Sequence, residues 1–188
     1  MKLMVNLVFL ISIFSSFTFA QDDEMKSLFD FNSQESSGDW FIVNDDVMGG
    51  VSKSEIQMHT DGYAIFRGIL SSENNGGFAS IRAVIEMNSQ KDFKGVLIRV
   101  RGDGNVYSLR FRTNTGFDGY AYQAKFQTDE AKWMEVRLPF SDFEPTFRGM
   151  TLDNKPGLES KNIQQIGVLI ADYQFGQFSL DIDWIKLY

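Results

Sequence analysis

Apolar and polar residues alternate with a period of two along much of this chain. Val96, Ile98 and Val100 alternate with Leu97, Arg99 and Arg101, and Tyr107, Leu109 and Phe111 with Ser108, Arg110 and Arg112. Tyr120, Tyr122, Ala124 and Phe126 alternate with Ala121, Gln123 and Lys125. Met134, Val136 and Leu138 alternate with Glu135 and Arg137, and Phe178, Leu180 and Ile182 with Ser179, Asp181 and Asp183. Successive side chains on a strand point to opposite faces, so each run predicts a strand with one apolar face. Further strands are expected near Tyr63–Leu70, Phe78–Met87 and Ile166–Asp172. No stretch carries the 3.6-residue period of a long amphipathic helix. Many short strands separated by turn signals predict an all-β fold, an antiparallel β-sandwich or jelly roll.

Turn chemistry suggests a register. Asp103-Gly104 is a strong two-residue hairpin signal. A hairpin there pairs Arg101 with Val106, Arg99 with Ser108 and Leu97 with Arg110. Directly paired residues share a face, so Arg99, Arg101, Arg110 and Arg112 are expected together on one face. If Thr113–Asp118 is the next loop, Phe111 meets Tyr120 and Leu109 meets Tyr122. Gln123 and Lys125 then join the arginines. Guanidinium groups recognise carboxylate and phosphate bidentately, and polar faces with aromatic neighbours also suit sugars. The competing expectation is a solvated outer face whose cations pair with acids across the strands.

Two loops stand out between the strands. Asn44-Asp45-Asp46-Val47-Met48-Gly49-Gly50-Val51-Ser52 places two acids, a Gly-Gly pair and a hydroxyl close together. Glu73-Asn74-Asn75-Gly76-Gly77-Phe78-Ala79-Ser80-Ile81-Arg82 echoes it. Asn, Asp and Gly favour turns and left-handed backbone. Neither Gly-Gly pair is followed by Lys-Ser/Thr or opens a helix, so neither reads as a phosphate loop. They are expected to be tight turns or places of close backbone approach. Asp45 and Asp46 invite two chemical readings, a hydrolase carboxylate or a calcium site built with Asn44 and Ser52. Asp30, Asp181 and Asp183 are further candidate oxygen donors. The plainer expectation is that the two acids cap turns and accept backbone amides. Trp133, Leu138-Pro139-Phe140, Phe143 and Phe147-Arg148-Gly149 predict a strand running into an aromatic loop. That loop either closes one end of the sandwich or meets a partner protein.

Composition narrows the chemistry. The chain of 188 residues has one histidine, His59, and no cysteine. Disulfides, thiolate metal sites, cysteine nucleophiles and histidine triads are thereby excluded, which argues against an enzyme and calls for no cofactor. Residues 1–20 contain Lys2 as their only charge, an apolar stretch over Leu7–Phe19, and Thr18-Phe19-Ala20 before Gln21-Asp22-Asp23-Glu24. That pattern predicts a cleaved secretory signal peptide, an exported (periplasmic or secreted) protein, and a single domain over 21–188. Losing Lys2 takes the formal charge from −7 to −8. An acidic domain is a poor ligand for nucleic acid.

The motifs together resemble the complex I intermediate-associated protein 30 family. The resemblance rests on Trp40 with Asn44–Ser52, Phe66-Arg67-Gly68, Glu73–Arg82 and Arg99-Val100-Arg101-Gly102-Asp103-Gly104. It continues through Tyr107, Trp133, Leu138-Pro139-Phe140, Phe147-Arg148-Gly149 and Ile166-Gly167, covering roughly Phe29 to Tyr188. It implies a galactose-binding-domain-like β-sandwich. It also implies a non-catalytic assembly factor acting through protein partners, such as subunits of a respiratory or membrane complex. The fold class is shared with carbohydrate-binding modules, which makes a glycan the alternative ligand. The expected binding residues are Asp45, Asp46, Asn74 and Asn75 in the loops, and Arg82, Arg99, Arg101, Arg110 and Arg112 on the cationic face.

Overall fold

The computed structural model describes residues 25–32, 39–87, 89 and 91–188. The expected signal segment, residues 1–20, lies outside the described residues. Among the described residues, thirteen strands form two antiparallel sheets: β1 (Lys26–Asp30), β2 (Phe41–Ile42), β3 (Lys53–Met58), β4 (Ala64–Leu70), β5 (Ala79–Val84), β6 (Gly95–Arg101), β7 (Val106–Arg112), β8 (Ala121–Gln127), β9 (Trp133–Pro139), β10 (Glu144–Phe147), β11 (Met150–Thr151), β12 (Gln165–Ile170) and β13 (Gly176–Leu187). One sheet runs β3-β4-β13-β6-β9, with β1 also on β13; the other runs β11-β10-β8-β7-β12-β5-β2. The only helical segments among the described residues are short 3-10 turns. None is long and apolar enough to cross a membrane.

The expected apolar faces are the faces that meet between the sheets. Phe66, Val96, Ile98, Val100, Leu180 and Ile182 come from one sheet, and Ile81, Tyr107, Leu109, Phe111, Ile166 and Val168 from the other; all are buried. Phe140 and Phe143 stack edgewise or tilted against Phe111. The aromatic stretch after β9 therefore closes an end of the sandwich. The buried Tyr107 hydroxyl donates to Asp103 Oδ1 at 3.1 Å, so a large aromatic ring enters the core with its polar tip satisfied.

The expected hairpin between β6 and β7 does not form. β6 pairs with β13 and β9, and β7 with β12 and β8. Asp103-Gly104 carries the chain from one sheet to the other. A type I′ hairpin needs positive φ at both central residues, but only Gly104 has it, at +88°. The Asp103 carboxylate instead accepts the Ser179 amide of β13 at 2.8 Å and the Asn105 amide at 3.1 Å. The crossing lets two strands with one apolar face each lay those faces against each other. Lying side by side, they would extend a single layer.

Candidate functional site

The two glycine loops are one structure built around Asp45. Its carboxylate is fully buried and accepts the Ser52 hydroxyl, the Ser52 amide at 2.9 Å, and the Gly77 amide at 2.6 Å. Ser52 Oγ in turn accepts the Ser71 amide. Burial alone raises a carboxylate pKa. The Ser52 hydroxyl and the Gly77, Ser52 and Phe78 amides outweigh it and hold Asp45 below the ordinary range. A Cβ on Gly50 would fall 2.4 Å from the Asp45 Cγ, and one on Gly76 would fall 2.5 Å from its Oδ2. Each Gly-Gly pair thus supplies one glycine that lets backbone touch the same carboxylate. Asn74, in left-handed backbone at φ 55°, donates from its side chain to the Gly49 carbonyl at 3.1 Å.

This geometry favours the plain reading of the acids. Asp46 is exposed and accepts the Val47 amide. Asn44 accepts the Ser54 hydroxyl. Asp181 pairs with Arg101, and Asp183 with Arg99 and Asn32. Among the described residues no cluster of three or more His, Asp or Glu is arranged to hold a metal ion.

The expected single arginine face is corrected by the structure. Because β6 and β7 lie in different sheets, Arg99 and Arg101 sit on the outer face of one sheet. Arg82, Arg110 and Arg112 sit on the outer face of the other. The first pair is neutralised: Arg99 and Arg101 bind Asp183 and Asp181, and both guanidiniums lie over the Trp133 ring, at 4.8 and 4.9 Å. The Asp181 hydrogen bond raises the Arg101 pKa further. That face is a self-satisfied structural network.

The other three arginines floor a cleft of about 750 Å³ across the seven-stranded sheet. Strand register sets a straight row over six strands: Phe41, Arg82, Gly167, Arg110, Gln123 and Glu144. Gln123 and Lys125 are on the arginine face, as expected. The pairing is shifted by two residues, Arg110 opposite Gln123 and Phe111 opposite Tyr122, and a shift of two preserves the face. Gly167 has no side chain, so nothing separates Arg82 from Arg110, whose strands lie about 10 Å apart.

The cations of this floor are unusually placed. Arg82 Nη1 donates to the Phe117 carbonyl at 2.9 Å, and Arg112 Nη1 to the Gly119 carbonyl at 2.7 Å. These bonds hold the β7–β8 loop as one wall. Arg110 Nε is buried without a hydrogen-bond partner. Among the described residues none of the three makes an ion pair, whereas the wall cations do: Lys125 with Asp172 at 2.6 Å and Arg148 with Asp118 at 3.6 Å. Burial, and then repulsion from Arg112, pulls the Arg82 pKa down to about 10, with Asp118 opposing. Burial, then Arg112 and Arg82, pulls Arg110 down to about 10 as well.

Val47, Met48, Asn75, Gly76, Gly77 and Phe78 also line this cleft. The Asp45-centred loops thus form the opposite wall. Asn75 is in place as a cleft residue, whereas Asp45 is buried beneath it. Sequence reasoning missed Gly167, Phe117, Met48 and Glu144. Gly167 left one readable signal, a glycine inside the apolar run Ile166 to Ile170, which marks a close approach.

The fold and the chain both have known relatives. A family 11 carbohydrate-binding module from Clostridium thermocellum, solved with a β-1,3-1,4-mixed-linked tetrasaccharide, superposes with a TM-score of 0.62 at 18% identity, covering 87% of this chain and 94% of that one. A family 29 carbohydrate-binding module superposes with a TM-score of 0.51 at 11% identity, covering 87% of this chain and 90% of that one. These likenesses show the β-sandwich fold. In sequence, the mouse mitochondrial complex I intermediate-associated protein 30 is 27% identical over 187 residues, covering 88% of this chain and 57% of the mouse protein. The probable counterpart from Caenorhabditis elegans is 25% identical, covering 90% of this chain and 56% of its own length. This chain therefore spans little more than half the length of these relatives. The model of the Complex I intermediate-associated protein 30 (CIA30) family matches residues 29–182. With that match across its sandwich, the chain belongs to the CIA30 family.

Proposed function

We propose that this domain works by binding and not by catalysis: an exported member of its family whose cleft on the seven-stranded sheet holds a protein partner. The observation that carries the reading is the row of polar side chains, Arg82, Arg110 and Gln123, along the floor of a ligand-sized cleft. The curated relatives are named for complex I intermediates, which supports a partner that is itself a subunit of a respiratory or membrane complex. The candidate catalytic groups are otherwise engaged. Asp45 is spent on loop amides, and His59 stacks on Tyr63 at the β3–β4 turn. Export rests on the character of residues 1–20, and the domain assigned to 21–188 is the binding unit.

Affinity capture from native cells tests the reading. The tagged full chain is compared with Gln123→Trp, which fills the cleft. A protein recovered by the first and lost with the second supports the proposal. Equal recovery by both sinks it. A glycan is the second reading, favoured by hydrogen-bonding side chains on the cleft floor beside the exposed Phe117 ring. Retention on a polysaccharide that Gln123→Trp abolishes, with no protein captured, would replace the first reading with the second.

A further inference from the structure

Charge pairing differs sharply between the two outer sheet faces. Arg99 and Arg101 are matched by Asp183 and Asp181, and the wall cations Lys125 and Arg148 by Asp172 and Asp118. Three guanidiniums converge on the cleft floor; among the described residues none forms an ion pair, and Asp118 of the wall acts on Arg82 and Arg112 only through space, in a chain of net charge −7. An arrangement of mutually repelling, partly desolvated cations raises the folded-state free energy unless an anion completes it. Arg110 is central: Arg82 lies two strands away across Gly167, and Arg112 follows two residues along the same face. Arg82 and Arg112 each use one nitrogen on a loop carbonyl, which fixes them, and no further hydrogen bond from either side chain is seen among the described residues.

The walls add a second constraint. Val47, Met48 and Phe117 line the cleft while 54%, 58% and 61% exposed. Val and Met are poor sugar platforms, which call for flat Tyr or Trp faces. They suit apolar side chains of a polypeptide, and exposed methionine adapts to varied partners. Resting on the binding function proposed above, we infer that Arg82, Arg110 and Arg112 form a carboxylate-receiving site for an acidic polypeptide segment. An Asp or Glu of that segment docks among the guanidiniums, and its apolar neighbours pack on Val47, Met48 and Phe117.

The test is selection from a phage-displayed library of random dodecapeptides on the immobilised full chain. Wild type should enrich Asp and Glu at least threefold over the input library, with apolar residues beside them. Arg82→Gln and Arg110→Gln should each lose that bias and weaken a selected peptide at least tenfold, while Arg99→Gln on the opposite face should bind as wild type. Near-UV circular dichroism of each variant checks that the fold is kept, and the two cleft variants provide independent readings. The inference is overturned if selected peptides carry no acidic bias, if both cleft variants bind them unchanged, or if no peptide is enriched. It is also overturned if oligogalacturonate binds and peptides do not. Failure of this inference alone is distinguishable from failure of the broader reading, in which Gln123→Trp binds as wild type. Peptides without acidic bias that Gln123→Trp still excludes would leave the cleft as the binding site and remove only its anion specificity.

Discussion

The Asp45 carboxylate accepts the Gly77 amide at 2.6 Å, joining residues 32 positions apart in the chain. The same carboxylate takes both the hydroxyl and the amide of Ser52. One buried acid therefore fixes two loops against each other. Asp45→Asn replaces two acceptor oxygens with one acceptor and one donor, and sets an amide group against the Gly77 or Ser52 N–H. The expected cost is about 3 kcal/mol, since charge-assisted bonds are strong and their orphaned partners are buried. Denaturant unfolding checks it.

Acid sensitivity follows from the same bonds. The folded pKa of Asp45 lies below its ordinary value of 3.8. The unfolded chain thus binds the proton more readily. Its stabilising contribution is complete above the ordinary value and is lost as pH falls through the lower folded value. Wild type should lose more stability than Asp45→Asn between about pH 5 and pH 2. Parallel pH curves for the two proteins would contradict this assignment.

Gly50→Ala should destabilise the protein by about 1–3 kcal/mol, because its Cβ meets the Asp45 side chain and overpacked sites cost that much. Gly157→Ala is the matched control, with open space at its Cβ. Thermal unfolding of the two variants should separate them clearly.

The arginines of the two sheets should respond with opposite signs. Arg110→Gln removes a cation that burial and its neighbours disfavour, and should raise Tm by about 2–4 °C for each kcal/mol relieved. Arg99→Gln strands the nearly buried Asp183 and should lower stability by about 1–3 kcal/mol. A gain from the cleft variant alongside lost binding would mark the floor as kept for function at a cost in stability. Calorimetry on both variants measures it.

Much of the fold was legible because alternation is a local property. Leu109 and Phe111 face the core, and Arg110 and Arg112 face out, whichever strands lie beside β7. Which strand lies beside which is not local. Asp103-Gly104 reads the same whether the chain reverses within a sheet or crosses to the other, and the outcome is set by the Asp103 contacts with β13 and Tyr107. The arginine site was therefore half legible: the face of each cation was correct, but Arg99 and Arg101 were assigned to the wrong sheet. The acids of the Asn44–Ser52 loop showed the reverse problem. Their chemistry suggested reactivity, and only the distant Gly76-Gly77 backbone reveals that Asp45 is a buried tie.

The position of β12 and β13 carries a consequence for folding. Each is a central strand of its sheet: β12 between β5 and β7, β13 between β4 and β6. Both follow every other strand in chain order. As the polypeptide folds, neither layer can close until its final partner arrives. β4 and β6, β5 and β7 wait with unpaired edges. Such non-local pairing folds slowly and leaves sticky intermediates, so a chain cut short before Gln165 should fail to assemble either layer and should aggregate.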